Sequence, residues 1–215
     1  MSEISSQQSE GNRSLSEVEG HYDPEGSKIG MWIFIFTELF LFGGLFLVYA
    51  VFRTKYSADF HHAAHELNAF IGTLNTVVLL VSSMTVAMSI TAMQKGNKKL
   101  AIRLLLVTIL AALVFMVNKY FEWSHKIELQ IFPGTDVVKG LEHGETLFYG
   151  LYYMMTGLHA LHVIIGLILI IIVIFRIKSG RINMERYSLH ENSGLYWHLV
   201  DLIWIFLFPL LYLIT

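Results

Sequence analysis

The chain has 215 residues, of which 54% are hydrophobic and only 15% are charged, which is too little charge for an ordinary soluble domain. It contains no cysteine, and this excludes disulfides, thiolate zinc sites, iron–sulfur clusters, covalently attached c-type haem and a dithiolate copper centre. Its net charge of -2 argues against a nucleic-acid partner, because a large basic face would be needed to neutralise a phosphate backbone.

The first 27 residues form a distinct segment. They are rich in Ser, Glu, Gln and Gly and contain no apolar run of the kind that a signal peptide needs. Such a composition cannot bury enough apolar surface to fold, so we expect residues 1–27 to be a disordered tail. The first apolar segment would then direct the chain to the membrane.

Five long apolar segments follow the tail, and each reaches the ~20 residues that a helix needs to cross a bilayer. In chain order they are about 29–52, 69–93, 100–123, 146–175 and 195–214. Trp32 and Tyr49 lie near the two ends of the first segment, as is typical of membrane interfaces. The sequence therefore predicts an all-α membrane protein, with residues 28–215 forming one bundle of five transmembrane helices.

The distribution of basic residues predicts the direction of the chain, because cytoplasmic loops collect Lys and Arg. With the N-terminus inside, the cytoplasmic segments hold Arg13, Lys28, Lys95, Lys98, Lys99, Arg176, Lys178, Arg181 and Arg186. The outer segments then hold Arg53, Lys55, Lys126 and Lys139. This bias predicts a cytoplasmic N-terminus, hence a cytoplasmic tail, and an external C-terminus.

Glu38 is an ionisable residue inside the first span, roughly 14 Å from its cytoplasmic end at 1.5 Å per residue. A charged side chain at a helix centre costs about 2.5–3.5 kcal/mol on insertion scales, so its presence needs a reason. The same helix carries no Lys or Arg within one turn of it. Two interpretations stay open, a neutral acid that is hydrogen-bonded across a helix interface and an acid with a functional role.

His159 and His162 lie three residues apart in the fourth span, which places them on one face of the helix. Gly157 and Gly166 on the same helix would let another backbone approach. A haem held between helices would need facing histidines, usually in two layers, and the sequence has no second pair at this depth. This pattern argues against haem ligation.

The last span repeats this spacing with His198 and Asp201. We expect these two side chains to share a hydrogen bond, and we favour a structural role for it over a proton relay. Asn75 and Ser82 are one heptad apart in the second span, and we expect this polar stripe to face another helix rather than lipid.

Two further groups are incomplete as metal sites. Glu122 and His125 have the Glu-x-x-His spacing of carboxylate di-iron bundles, but a second such step is missing. His61, His62 and His65 resemble one histidine box of membrane desaturases, whereas a di-metal site needs several boxes. We therefore expect Glu122 at a helix interface, the three histidines in an exposed loop, and no metal in this chain.

Several segments match, in order, the motifs of one family. The last span, GLYWHLVDLIWIFLFPLLYL, is similar to a closing helix with the pattern Tyr-Trp-His-Phe-Val-Asp-x-x-Trp. The other matching segments are Thr37-Glu38, Leu74-Asn75-Thr76 with the Ser-rich stretch 79–83, the acid Glu122, and Tyr149-Gly150 with the Thr-Gly-x-His-x-x-His-Val signature of 156–163. From residue 28 to the C-terminus the chain thus resembles subunit III of the haem–copper oxidases.

This resemblance implies properties that the spacing alone does not. Subunit III of that family carries neither haem nor copper, which reside in partner subunits. It packs against catalytic subunit I, with subunit II in the same complex, holds phospholipids in a cleft and supports proton uptake. Glu38 falls on the glutamate of that lipid cleft, and Glu38, His159 and His162 are expected to be lipid-cleft or buried polar residues. The chain lacks the first two helices of the seven-helix form and so resembles the five-helix form of bacterial cell membranes.

The resemblance implies a non-catalytic subunit of a respiratory terminal oxidase that takes part in aerobic electron transport. The acid in Thr37-Glu38 favours the branch that accepts electrons from cytochrome c. Subunit III of a quinol oxidase and an accessory subunit of a nitric oxide reductase remain alternatives. An alternative of another class is a free-standing membrane metal or haem enzyme that uses His159, His162, Glu122 and His125.

Overall fold

The computed structural model describes residues 24–183 and 187–213, and all the regular elements in these ranges are helices. They are α1 Pro24–Lys55, α2 Ser57–His65, α3 Ala69–Gln94, α4 Lys98–Glu128, α5 Asp136–Lys139, α6 His143–Lys178 and α7 Ser188–Tyr212. Five of them, α1, α3, α4, α6 and α7, are long and apolar enough to cross a membrane. The predicted all-α architecture with five spans is confirmed for this part of the chain.

The long helices extend beyond the apolar segments that marked them in the sequence. Most of the predicted tail, 1–27, lies outside the described residues, and helix α1 begins at Pro24. Proline is favoured at the first position of a helix, and Glu25 in the first turn complements the helix dipole. Lys28 Nζ also lies 2.9 Å from Glu191 Oε2, which ties this end of α1 to α7.

The start of α7 differs most from its predicted position. Hydropathy placed the span at 195–214 and a loop before it, whereas the helix begins at Ser188. Its first two turns are polar, so hydropathy misses them, and they are held by contacts with neighbouring helices. Asn192 Nδ2 donates to Ser27 Oγ at 2.7 Å, and His190 is 1% exposed.

Helix ends follow the capping chemistry of the sequence. Asn68 Oδ1 accepts hydrogen bonds from the backbone of Phe70 and Ile71 and starts α3, and Asn97 Oδ1 accepts one from Leu100 and starts α4. Gly96, with a φ of 76°, closes α3 in the left-handed conformation that glycine adopts without steric cost. The resulting short turn forces α3 and α4 to run antiparallel as neighbours.

Helix α7 lies at the centre of the bundle and packs against α1, α3 and α6, while α4 packs against α3 and α6. In α7, 56% of the apolar stretch is buried inside the chain, against 11% in α1. The indole rings of Trp197 and Trp204, one heptad apart on α7, are fully buried. Helix α1 therefore presents most of its apolar surface outward, and α7 supplies the middle of the core.

Candidate functional site

Glu38 on α1 and His162 on α6 meet across a helix interface. Glu38 Oε2 lies 3.0 Å from His162 Nε2, and His162 Nδ1 donates to the carbonyl oxygen of Leu158 at 2.7 Å. Because Nδ1 faces a carbonyl, it must carry a hydrogen. The contact between Nε2 and the carboxyl oxygen then holds one proton, which resides on either partner. The Glu38 and His162 side chains are 14% and 8% exposed, so the contact is mostly, but not fully, enclosed by the chain.

His159 has a different environment from His162, although the two are three residues apart. It is fully buried, with its ring 5.5 Å from the ring of Phe115 on α4 and 5.1 Å from that of Trp204 on α7. The distances join ring centroids, and both are typical of packed aromatic pairs. His159 is therefore a core residue between three helices, whereas Glu38 is partly exposed at the outside of the bundle.

Glu122 is the acceptor in a buried cluster with Lys119, Tyr152 and Tyr212, which we call the Lys119 cluster. Lys119 Nζ lies 3.3 Å from each carboxyl oxygen, Tyr212 donates to Oε1 at 2.5 Å, and the Tyr152 hydroxyl donates to the same oxygen. The Lys119 and Glu122 side chains are only 6% and 7% exposed. Two charges at such burial are tolerated because they are paired and hydrogen-bonded.

Aromatic rings complete the surroundings of the Lys119 ammonium group. Nζ lies 4.9 Å from the ring centre of Trp204, 5.1 Å from that of Tyr212 and 5.3 Å from that of Tyr152. Rings at this distance attract a cation through their negative faces, more strongly where water is excluded. The cluster joins α4, α6 and α7 near one end of the bundle. A cavity of about 420 Å³ lies beside it, lined by polar side chains such as Glu66, Asn118 and His125 and by several apolar ones.

Polar side chains of α3 bind α4. Asn118 Nδ2 donates to Asn75 Oδ1 at 2.8 Å, and the hydroxyl oxygens of Thr85 and Thr108 are 2.8 Å apart. Asn75 is fully buried. Asn75 therefore lies in the interface between α3 and α4.

Other polar side chains of α3 bind α7. Their contacts are Trp204 Nε1 to Thr76 Oγ1 at 3.1 Å, Trp197 Nε1 to Ser82 Oγ at 3.0 Å, Ser83 Oγ with His198 Nδ1 at 2.6 Å, and Ser89 Oγ with His190 Nε2 at 2.9 Å. We call these four contacts the α3–α7 contacts. They extend from Thr76 to Ser89, so polar groups fix the middle part of α3 to α7.

The predicted hydrogen bond between His198 and Asp201 is wrong. Each side chain has its own partner on α3, because His198 Nδ1 lies 2.6 Å from Ser83 Oγ and Asp201 Oδ2 accepts a long contact of 3.4 Å from Ser82 Oγ. Adjacent serines on the facing helix therefore contact the two groups, although Asp201 Oδ1 has no hydrogen-bond partner among the described residues. Both residues do lie at a helix interface, and Asp201 is 3% exposed.

The sequence interpretation missed Lys119, Tyr152, Tyr212 and His190. Lys119 precedes Glu122 by three residues, a spacing at which a helical acid and base pair, so the signal was present. The sequence pattern indicates no role for the two tyrosines and places His190 in a loop. Among residues 24–183 and 187–213, no three His, Asp or Glu side chains gather at metal-binding distance. The arrangement pairs many buried polar groups across helix interfaces, whereas both ring nitrogens of His159 have no hydrogen-bond partner in the described part of the chain.

Comparisons with known proteins agree with this architecture. A family model described as cytochrome c oxidase subunit III matches residues 14–215. The chain is 30% identical over 196 residues to cytochrome c oxidase subunit 3 of Thermostichus vulcanus, covering 91% of this chain and 90% of that protein. It is 29% identical over 193 residues to heme-copper oxidase subunit I+III of Aeropyrum pernix, covering 86% of this chain and 22% of that protein. It is 27% identical over 190 residues to a probable quinol oxidase subunit 3 of Staphylococcus saprophyticus, covering 87% of this chain and 89% of that protein.

The match covers all five spans and includes the segments that carried the resemblance in the sequence. Long apolar helices and related membrane subunits together make this an integral membrane protein. The chain belongs to the cytochrome c oxidase subunit III family, the non-catalytic subunit III of the haem–copper oxidases.

Proposed function

We propose that this chain braces the catalytic subunit of a cytochrome c-type terminal oxidase in a bacterial cell membrane and supports proton uptake by that subunit. The observation that carries the proposal is the pairing of buried polar groups within the chain. The α3–α7 contacts and the Lys119 cluster bind polar side chains to each other across helix interfaces. Polar groups used in this way hold helices in fixed register, which suits a subunit that stabilises a partner.

Subunit I is the proposed partner, with subunit II in the same complex and haem and copper held by those subunits. The Aeropyrum pernix relative supports the first contact, because its name assigns subunits I and III to one polypeptide. Two subunits that can be fused must have termini and faces compatible with a lasting association.

We propose that structural phospholipids cover part of α1 beside Glu38. Helix α1 is the least covered of the five spans, and large apolar side chains such as Phe36 and Phe40 are 61% and 68% exposed. The partly exposed Glu38 carboxyl group lies on the same helix. Lipid acyl chains would cover the apolar residues, and the pair of Glu38 and His162 offers a polar contact beside them.

We further propose that the N-terminus lies in the cytoplasm and the C-terminus outside, because the segments on the same side as the N-terminus carry the excess of Lys and Arg. The electron donor is proposed to be cytochrome c. A related subunit of a quinol oxidase exists, so a quinol donor is the second candidate. The neighbouring subunit II decides between the two donors: a dithiolate copper motif in it would indicate cytochrome c, and its absence would indicate a quinol.

The test is removal of this chain from the purified complex. We expect the remaining subunits to start turnover at a normal rate and then to inactivate several-fold faster, with slower proton uptake. Re-addition of the chain should restore both properties. An unchanged lifetime together with unchanged proton uptake in its absence would exclude the proposed role.

A further inference from the structure

The short helix α2, Ser57–His65, carries two exposed histidines one turn apart, His61 and His65. Their Nε2 atoms lie 3.2 Å apart, and the ring centres are 4.6 Å apart with perpendicular planes. Residues four positions apart share one face of a helix, so this approach follows from the sequence spacing. The pair is separate from the polar contacts between the spans, and the predicted loop position of these histidines is replaced by a helix.

The distance between the two nitrogen atoms matches two ligands on one metal ion. Zinc binds histidine nitrogen at about 2.0–2.1 Å. Two bonds of that length to nitrogens 3.2 Å apart enclose an angle of roughly 100° at the ion, between the ~90° and ~109° of octahedral and tetrahedral geometry. Rotation of the two exposed rings about their side-chain bonds directs both nitrogen lone pairs at a common point.

We propose that His61 and His65 together bind one divalent transition-metal ion of the zinc class through their Nε2 atoms. Imidazole nitrogen suits Zn²⁺, Ni²⁺ and Cu²⁺, whereas Mg²⁺ and Ca²⁺ prefer oxygen ligands. Within the described part of the chain no third His, Asp or Glu joins the pair at metal-binding distance, so water completes the coordination. The site is open and exchanges its ion with the surrounding solution.

The ion would act on a helix that is too short to be stable by itself, because isolated helices below about 12–15 residues are marginal in water. Helix α2 is held on α6 by Asp59, whose Oδ2 accepts from the Gly144 backbone at 3.1 Å, and by His62 Nδ1, which lies 2.6 Å from Glu145 Oε1. A metal that joins His61 to His65 clamps the last turn of α2. It thereby stabilises the segment between the first and second spans.

The test is a Zn²⁺ titration of the purified oxidase complex by isothermal calorimetry after treatment with EDTA. The wild-type complex should bind one more Zn²⁺ than the His61→Gln or His65→Gln complex, and excess Mg²⁺ should leave this difference intact. The double variant should lose no more bound Zn²⁺ than either single variant. The matched control is His125→Gln, which alters an exposed histidine on α4 outside the pair and should keep the wild-type stoichiometry.

Equal Zn²⁺ stoichiometry in the wild type and both single variants would overturn the proposal. The same loss in the His125→Gln control would overturn it as well, because the bound ion would then depend on histidines in general. All the substituted side chains are exposed, so each variant complex is expected to assemble.

Discussion

Glu38 Oε2 and His162 Nε2 lie 3.0 Å apart, although the two residues are 124 positions apart in the chain. His162 Nδ1 donates to a backbone carbonyl, so the Glu38 contact holds one proton between the two helices. The two polar residues therefore act together, either by holding a proton or by fixing α1 to α6.

Glu38→Gln separates these two roles. The glutamine amide can donate to His162 Nε2 and keep the interface, but it cannot exchange a proton. We expect normal assembly, with faster inactivation during turnover or fewer bound phospholipids per complex. The measurements are activity decay during sustained turnover and lipid content by mass spectrometry, with the exposed Glu128→Gln as the control. Wild-type behaviour on both measures would leave only a packing role.

Ser83, rather than Asp201, is the partner of His198, and a double-mutant cycle can measure this. The Ser83→Ala and His198→Ala pair should show a coupling energy of about 0.6 kcal/mol, the average for such bonds between membrane helices. The His198→Ala and Asp201→Ala pair should show a smaller one. Resistance of the complex to unfolding in mixed detergent supplies the energies. A larger coupling for the second pair would contradict the structural assignment.

Removal of one charge from the Lys119 cluster should be more harmful than removal of both. Lys119→Met leaves the Glu122 carboxylate buried without its cation, which we expect to cost about 3–5 kcal/mol. Combining it with Glu122→Leu should recover most of that loss, because an apolar pair leaves no buried charge. Thermal unfolding of the complex is the measurement, and Lys55→Met, at an exposed position, is the control. A double variant less stable than Lys119→Met would refute this account.

Gly166 allows the close contact between α6 and α7. A methyl group there would lie 2.8 Å from Trp197 Cε3, which is too short for any ordinary contact. We expect Gly166→Ala to lower the free energy of unfolding by about 1–3 kcal/mol through overpacking. Gly150→Ala on the same helix meets no atom within 4 Å and should be neutral or stabilising. Equal effects of the two substitutions on thermal stability would show that the close approach is unimportant.

The absence of native cysteines makes the membrane orientation easy to test. A single cysteine in place of Lys99, at the start of α4, should react with an impermeant maleimide only after the cells are opened. One in place of Ser57, at the start of α2, should react in intact cells. Both residues are exposed, so neither substitution should disturb the bundle. The reverse labelling pattern would place the N-terminus outside.

The number of spans could be predicted because each apolar segment is long enough to cross a bilayer by itself. Helix ends were harder, since the first turns of α7 are polar and are held by Ser27 and Ser89 on other helices. Hydropathy responds to the composition of a segment and contains no information about such contacts.

Pairing between helices could not be predicted because it depends on how each helix is rotated about its axis. Glu38 and His162 were both identified as buried polar residues, yet nothing local to either one indicated the other. The spacing of His198 and Asp201 on one helix predicts a contact between them, whereas α3 offers a serine to each. Lys119 lies within the third span, and the distribution of basic residues among the loops carries no information about it.

The central position of α7 has a consequence for biosynthesis. This helix leaves the ribosome after the four other spans, yet it provides the surface on which α1, α3 and α6 pack. Until it inserts, Thr76, Ser82, Ser83 and Ser89 on α3 lack their partners on α7, and the earlier spans have only their contacts with each other, chiefly those of α3 with α4. Assembly of the bundle is therefore completed late, when α7 inserts.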